Sequence, residues 1–134
     1  MSSGLSKTHY WENLVLLAVK GTPLTAPINL FAALFTVTPG ESGGGTEVSG
    51  NAYARQAITF GTVSAQSSGS QIANTGAISF PVATGAWGTI VAVAIMDAST
   101  GGNMLYYGAL TANITINTNG QFVFPIAAVT LLED

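Results

Sequence analysis

Apolar residues recur with helical spacing at the start of the chain. Between residues 6 and 20, Tyr10, Leu14 and Leu17 lie three or four positions apart, as on one face of a helix. Thr8 or Ser6 can cap the N-terminus of such a helix. A glycine at position 21 and a proline at position 23 end it. The pattern therefore predicts one helix over residues 6–20.

After residue 28 the apolar residues alternate with polar ones, which predicts about eight short strands. The predicted strands cover residues 28–38, 54–63, 71–82 (divided by Gly76), 88–97, 103–110, 113–117, 121–124 and 126–132. The 88–97 segment is apolar on both faces, so we expect it in the middle of a sheet. Asn119-Gly120 is a type I′ turn dipeptide, which predicts a hairpin between 113–117 and 121–124.

The order of these elements indicates an all-β fold. Turns recur every 8 to 12 residues, as in sandwiches and jelly rolls, and no second helix is present for a parallel crossover. We therefore predict an antiparallel β-sandwich or jelly roll of about eight short strands with one N-terminal α-helix. It forms a single domain over residues 1–134, with the helix at 6–20 and the sandwich at 28–132.

The charge content excludes several classes of partner. Charged residues make up 7% of the chain, against about 25% in typical proteins, and only three residues are basic. Such a chain cannot form the cationic surface that nucleic acid requires. The apolar runs are too short to span a membrane, and we find no signal peptide. A β-rich surface with so few charges favours association, so we expect a homo-oligomer.

The segment GESGG, residues 40–44, satisfies the G-x-S-x-G pattern of nucleophilic serines. A serine nucleophile needs a base, and the only histidine, His9, precedes Ser42 within the predicted helix. The pattern is short and glycine is common here, so we interpret residues 40–50 as a mobile loop. We predict that the protein is not an enzyme.

The acidic residues do not indicate a metal site. Glu41 and Glu47 flank a run of glycines that would not hold them in fixed geometry. Asp97 precedes a Gly-Gly pair without the further carboxylates of a calcium loop, so we expect an Asx-type turn there. His9 has no second histidine, no cysteine and no nearby aspartate at ligand spacing, so we expect a solvated or capping histidine. We expect no catalytic residue, cofactor or metal ion.

Arg55 is the only arginine and the only basic residue after position 20. We expect it to pair with Glu47, Asp97 or a group of backbone carbonyls, or to be a solvated charge at a strand edge. Our hypothesis is that its planar guanidinium fixes the 40–52 segment against the strand ends.

The apolar residues of the helix allow two interpretations. Tyr10, Trp11 and Leu14 either pack on the chain's own sandwich or form an interface with a partner subunit. Aromatic residues are common in both settings.

The longest motifs resemble a known family. The runs GTEVSGNAYARQAITFG, ISFPVATGAWGTIVAVAIMDASTGGNMLYYGAL and NGQFVFPIAAVTL resemble a family of small virion proteins of tailed bacteriophages. These are similar to capsid cement (decoration) proteins, which have a jelly-roll fold, and the resemblance extends from about Ser6 to the C-terminus. It implies signature positions with structural roles, which are Glu47, Tyr53, Arg55, Trp87, Gly88, Asp97 and Gly102.

The resemblance also implies a function. It indicates a non-enzymatic protein that is made in the host bacterial cytoplasm and binds the outer capsid surface of the virion. There it would bridge and stabilise neighbouring subunits of the major capsid protein, as a dimer or trimer.

Two alternatives stay open at this point. The protein could be a tail or tail-fibre structural component, since relatives are often described as tail-fibre-like. It could also be a carbohydrate-binding β-sandwich in which exposed Trp87, Tyr106 and Tyr107 stack on sugar rings.

Overall fold

Short strands dominate the fold of residues 4–133, which is the range that a computed structural model describes. The predicted domain limits at residues 1 and 134 lie outside this range. In chain order, the elements are β1 Ser6–Lys7, α1 His9–Val19, β2 Leu30–Val37, β3 Thr46–Glu47, β4 Gln56–Ile58, β5 Ser64–Gln66, β6 Gly69–Ala73, β7 Ile78–Ser79, β8 Gly88–Met96, β9 Met104–Ile116, β10 Val123–Phe124 and β11 Thr130–Glu133.

The largest sheet has six strands in the order β1-β9-β8-β2-β3, with β4 also pairing with β2. The other strands form a two-stranded sheet, β10-β7, and a three-stranded sheet, β11-β6-β5. All of these strand pairs are antiparallel. The expected all-β antiparallel sandwich with one helix is therefore confirmed.

The main core lies between the large sheet and the smaller strands. Leu34 and Ile95 of the large sheet are fully buried, as are Phe80, Phe122 and Phe124 from the smaller strands and their flanks. The phenylalanine rings meet edge to face, and the centroids of Phe122 and Phe124 are 4.8 Å apart. Such contacts add to the hydrophobic effect of burying large rings.

The 88–97 segment occupies the middle of the large sheet, as its two apolar faces indicate. β8 pairs with β2 on one side and with β9 on the other. Val93 and Ile95 face the main core, whereas Ala92 and Ala94 belong to a second small cluster with Phe35. A strand with neighbours on both sides and buried residues on both faces must be apolar throughout.

The helix begins three residues later than the sequence predicts. Thr8 is its N-cap: its hydroxyl accepts a hydrogen bond from the Trp11 amide (3.4 Å) and donates one to the Met104 carbonyl (2.6 Å). Residues 6 and 7 pair instead with β9, because the sheet offers their backbone groups partners. The predicted C-terminus is confirmed, with Gly21 at φ +109° directly after the helix.

The hairpin predicted around Asn119-Gly120 does not form, because the strands before and after the turn pair with other strands. The turn forms, since the Gly120 amide donates to the Asn117 carbonyl at 2.8 Å and Asn119 has φ +71°. However, residues 114–116 pair with β8 as part of the continuous β9, which merges two predicted strands. The segment after the turn crosses to the other layer, where β10 pairs with β7, because Phe122 and Phe124 are buried between the layers.

Residues 4–133 form eleven short strands rather than about eight, and the strand expected at 126–132 begins only at Thr130, in β11. The strand expected at 54–63 is reduced to β4, with a single bridge from Phe60 to Asn74. The 71–82 segment is divided into two strands, as Gly76 suggests. No helix within residues 4–133 has the length and apolar character needed to cross a lipid bilayer.

Candidate functional site

Arg55 lies at the centre of a polar cluster that joins two loops. It leads into β4, and its Nε and Nη2 atoms donate to the two carboxylate oxygens of Glu47 at 2.8 Å each. Its Nη1 atom donates to the carbonyl oxygens of Ala98 and Gly101, also at 2.8 Å. The predicted pairing with Glu47 and with backbone carbonyls is therefore confirmed, and the alternative of a solvated edge charge is wrong.

Tyr53 extends this cluster toward the core. Its hydroxyl donates to Glu47 Oε2 at 2.7 Å and accepts a hydrogen bond from the Leu34 amide at 2.9 Å. The Tyr53 ring contacts Trp87 edge to face, with centroids 5.4 Å apart. The cluster thus connects the segment after β2 both to β2 itself and to the aromatic core.

Burial and hydrogen bonding shift the pKa values of this cluster. Burial raises the pKa of the Glu47 carboxyl, but the hydrogen bonds from Arg55 and Tyr53 outweigh it and leave that pKa below its usual value. Burial, together with the neighbouring carboxylate, raises the pKa of Tyr53. The hydrogen bonds to Glu47 raise the pKa of Arg55. At neutral pH the cluster is a carboxylate–guanidinium pair with a neutral phenol.

The loop after β8 is closed by Asp97. Its carboxylate accepts hydrogen bonds from the Asn103 amide (2.7 Å) and side chain (3.0 Å), and Gly101 and Gly102 both have positive φ. A turn with positive φ at its glycines forms here as predicted, but it is not of the Asx type, because the carboxylate accepts from a residue six positions on rather than two. The turn directs the carbonyls of Ala98 and Gly101 toward Arg55.

Trp87 and Gly88 lie at the opposite end of β8 from Asp97. The Trp87 ring is buried, and its Nε1 atom donates to the Asn51 carbonyl at 2.9 Å. Gly88 has φ +89°, a conformation that favours glycine. Apart from Gly88, the signature positions thus lie in the contacts and turns that tie the 47–55 segment to both ends of β8. Gly88 is the first residue of β8 and lies next to Trp87. Their proposed structural roles stay a prediction.

The aromatic residues expected for carbohydrate stacking do not form an exposed platform. Trp87 and Tyr106 are each only 6% exposed, and Tyr107 is half-buried. The Tyr106 hydroxyl donates to Glu133 at 2.5 Å rather than facing solvent. The sequence-based expectation that all three are exposed is wrong, because these positions face cores on both sides of the large sheet.

The three predicted interface residues have different surroundings. Trp11 is half-buried against the chain's own core, with its ring centroid 6.3 Å from that of Tyr106. Tyr10 is exposed, and Leu14 is half-buried. With the 25–31 segment and the loop after β8, all three line a groove of about 580 Å³. Trp11 therefore packs in its own subunit, and an interface role for Tyr10 and Leu14 stays a prediction.

Sequence reasoning missed a group of exposed apolar residues that follow the predicted interface residues along α1 and beyond. They are Leu16, Leu17, Val19, Leu24 and Ile28. The signal in the sequence was that the helix is apolar on nearly all sides. In the structure no residue of the helix is buried, so part of this apolar surface is left uncovered.

His9 and Ser42 line the same depression, which the sequence did not predict. Each nitrogen of the His9 ring faces a carboxylate: Nδ1 lies 3.2 Å from Glu12, and Nε2 lies 3.3 Å from Glu41. Neither nitrogen is therefore left to act as a base for Ser42. The two carboxylates contact different nitrogens of the ring, and one ligand atom from each of the three residues lies within 4.8 Å of the others. The structure thus brings together three possible metal ligands, a grouping that the sequence did not predict.

Ser42 lies in a turn closed by backbone hydrogen bonds, within the 40–50 segment that we interpret as a mobile loop. Gly40 and Gly43 exchange backbone hydrogen bonds of 2.9 and 3.0 Å, and the His9 amide donates to the Glu41 carbonyl at 2.9 Å. β3 then returns along β2. The turn is thus held by the sheet and by the start of α1.

Comparison with known proteins gives one family. A family model described as "Podophage GP4 fiber I protein gp80" matches residues 6–132. The match includes α1, the whole Arg55 cluster and nearly every strand. No curated protein matches the sequence.

Proposed function

The chain belongs to the podophage GP4 fiber I protein gp80 family and is a structural protein of a bacteriophage particle, and from this premise we propose that it is a structural component of a tail fibre. The observation that carries the proposal is the family match, which extends over residues 6–132. A fibre component acts by holding its shape and by associating with its neighbours, and neither requires chemistry.

The geometry of the chain supports such a role. Arg55 and Glu47 tie the loops at one end of the sandwich, and the side chains of this pair are only 8% and 24% exposed. Charge-assisted bidentate contacts fix orientation as well as adding stability. A rigid sandwich with few surface charges can also form contacts that depend little on salt.

The capsid surface is the alternative location. The resemblance of the sequence motifs to cement proteins would place the chain there, in contact with the major capsid protein. The family description names a fibre protein, which favours the tail. In either location the chain would act as a homo-oligomer with repeated weak contacts.

Locating the protein in the particle tests this proposal. Cryo-electron microscopy of intact virions, combined with gold-labelled antibody against the purified chain, should place it on the tail. Heads prepared without tails serve as the control and should carry no label. Label on these heads would favour the cement alternative, and absence from the whole particle would contradict both.

A carbohydrate-binding fibre is a further possibility that can be measured separately. A glycan array probed with the purified protein should give no signal from aromatic stacking by Trp87 or Tyr106, because both rings are buried. A specific glycan signal that is lost in Tyr107→Ala would restore this function.

A further inference from the structure

The outward side of α1 and the segment after it carry a large apolar surface. Leu16 is 65% exposed, Val19 81% and Ile28 95%, and Leu17 and Leu24 are also exposed. These five residues expose on the order of 600 Å², at the upper end of the largest apolar patch of a typical monomer. A standard interface buries about 800 Å² per partner, so this surface approaches the size that a stable pair requires.

The helix itself needs a partner. It has 11 residues and no buried side chain. Helices shorter than about 12 residues are marginal in water, and packing of an apolar face supplies most of their stability. Trp11 provides this packing on the inner side of α1, whereas Leu16 and Leu17 on the outer side face solvent.

The charges at the two ends of α1 identify the partner. Glu12 and Lys20 are each four residues from Leu16, so the three side chains follow one stripe of the helix. The two charges are about 12 Å apart along the axis, with Leu16 at the midpoint. If a two-fold axis passes beside Leu16, Glu12 of one copy lies opposite Lys20 of the other, and this pairing occurs twice.

From this geometry we propose that two copies of the chain associate through α1, packed antiparallel across Leu16. Leu16 and Leu17 of both copies form the centre of the interface, and the two Glu12–Lys20 pairs form its rim. The contact uses the same surface on both copies, so it closes as a dimer and leaves the Arg55 cluster free. The inference does not rest on the fibre role, because it concerns the purified chain alone.

Sedimentation equilibrium and light scattering of the purified chain test this proposal. The wild-type protein should be a dimer at about 100 µM, with a mass that falls on dilution. Leu16→Glu should raise the dissociation constant by about 30-fold or more, as expected for the centre of an interface. Val63→Glu is the matched control, because Val63 is also 65% exposed but lies beside β5. It should leave association unchanged.

A charge exchange tests the antiparallel arrangement. Lys20→Glu places like charges opposite each other twice and should weaken association by about 10-fold. Glu12→Lys should weaken association to the same extent, while also removing the contact of Glu12 with His9 Nδ1. The double variant should restore association to near the wild-type value. Lys20 is exposed at the end of the helix, so Lys20→Glu also serves as the test if Leu16→Glu fails to fold.

Three results would overturn the proposal. They are a monomeric wild-type protein at about 100 µM, equal effects of Leu16→Glu and Val63→Glu, and a double charge variant no better than the single ones. None of these measurements depends on where the protein lies in the virion. A failure here is therefore distinguishable from a failure of the proposed fibre role.

Discussion

Arg55 and Glu47 are joined by two parallel hydrogen bonds, from Nε to Oε2 and from Nη2 to Oε1, each 2.8 Å long. The remaining nitrogen of Arg55 bridges two carbonyls of the loop after β8. One side chain therefore ties the 47–55 segment to the loop after β8, more than forty residues away in the sequence. Because this pair is largely buried, removing one partner leaves the other charge without compensation.

Arg55→Ala should lower the free energy of unfolding by about 2–4 kcal/mol, because Glu47 and two carbonyls lose their donors. Arg55→Lys keeps the charge but not the planar fork, so it should recover only part of the loss. Urea denaturation followed by fluorescence measures both variants. If Arg55→Ala left both stability and assembly unchanged, the hypothesis that Arg55 holds the two loops together would be disproved.

The stability of the protein should fall in acid because of Glu47. Its pKa in the folded state is below the usual value, so the unfolded chain takes up the proton first as the pH falls. This contribution is fully present above the usual glutamate pKa. It is lost from about pH 5 downward, as the pH passes through the lower folded-state value.

Denaturation midpoints measured between about pH 3 and pH 7 test this expectation. In Glu47→Gln the midpoint should be lower at neutral pH and should change less in acid. The amide keeps the size of the side chain but has no carboxylate to protonate. A variant with the same acid dependence as the wild type would show that other carboxyl groups are responsible.

Tyr53→Phe should cost about 1–3 kcal/mol, although the ring keeps its place against Trp87. The change removes the acceptor of the Leu34 amide and one donor to Glu47. If the three residues act as a unit, Tyr53→Phe combined with Arg55→Ala should cost less than the sum of the two single changes. Additive losses would show that the two residues contact Glu47 independently.

The sequence identified Arg55 because it is the only arginine, and it gave Glu47 as one of three possible partners together with Asp97 and a group of backbone carbonyls. It could not identify the carbonyls of Ala98 and Gly101 individually. Their position depends on how β8 lies beside β2 and on the turn closed by Asp97. Contacts between distant segments depend on packing, which local patterns do not encode.

The same distinction explains the errors in the fold. The C-terminus of α1 was predicted correctly because Gly21 and Pro23 act locally. Its N-terminus was not, because residues 6 and 7 take their hydrogen-bond partners from β9. Asn119-Gly120 correctly predicts a turn, but the burial of Phe122 and Phe124 in the core decides the partner of the strand that follows.

Gly102→Ala should destabilise the loop after β8 by about 2–4 kcal/mol, combining backbone strain with a steric clash. The residue has φ +74°, and a Cβ atom there would lie 2.5 Å from Asp97 Oδ1 and 2.7 Å from Ala98 Cβ. The Asp97 carboxylate would have to move away from Asn103, which opens the turn that presents carbonyls to Arg55. Gly101→Ala is the matched control: φ is +61° and the space is open, so only the strain of about 1 kcal/mol remains. Thermal unfolding of both variants measures the difference, and equal losses would show that the contact with Asp97 does not matter.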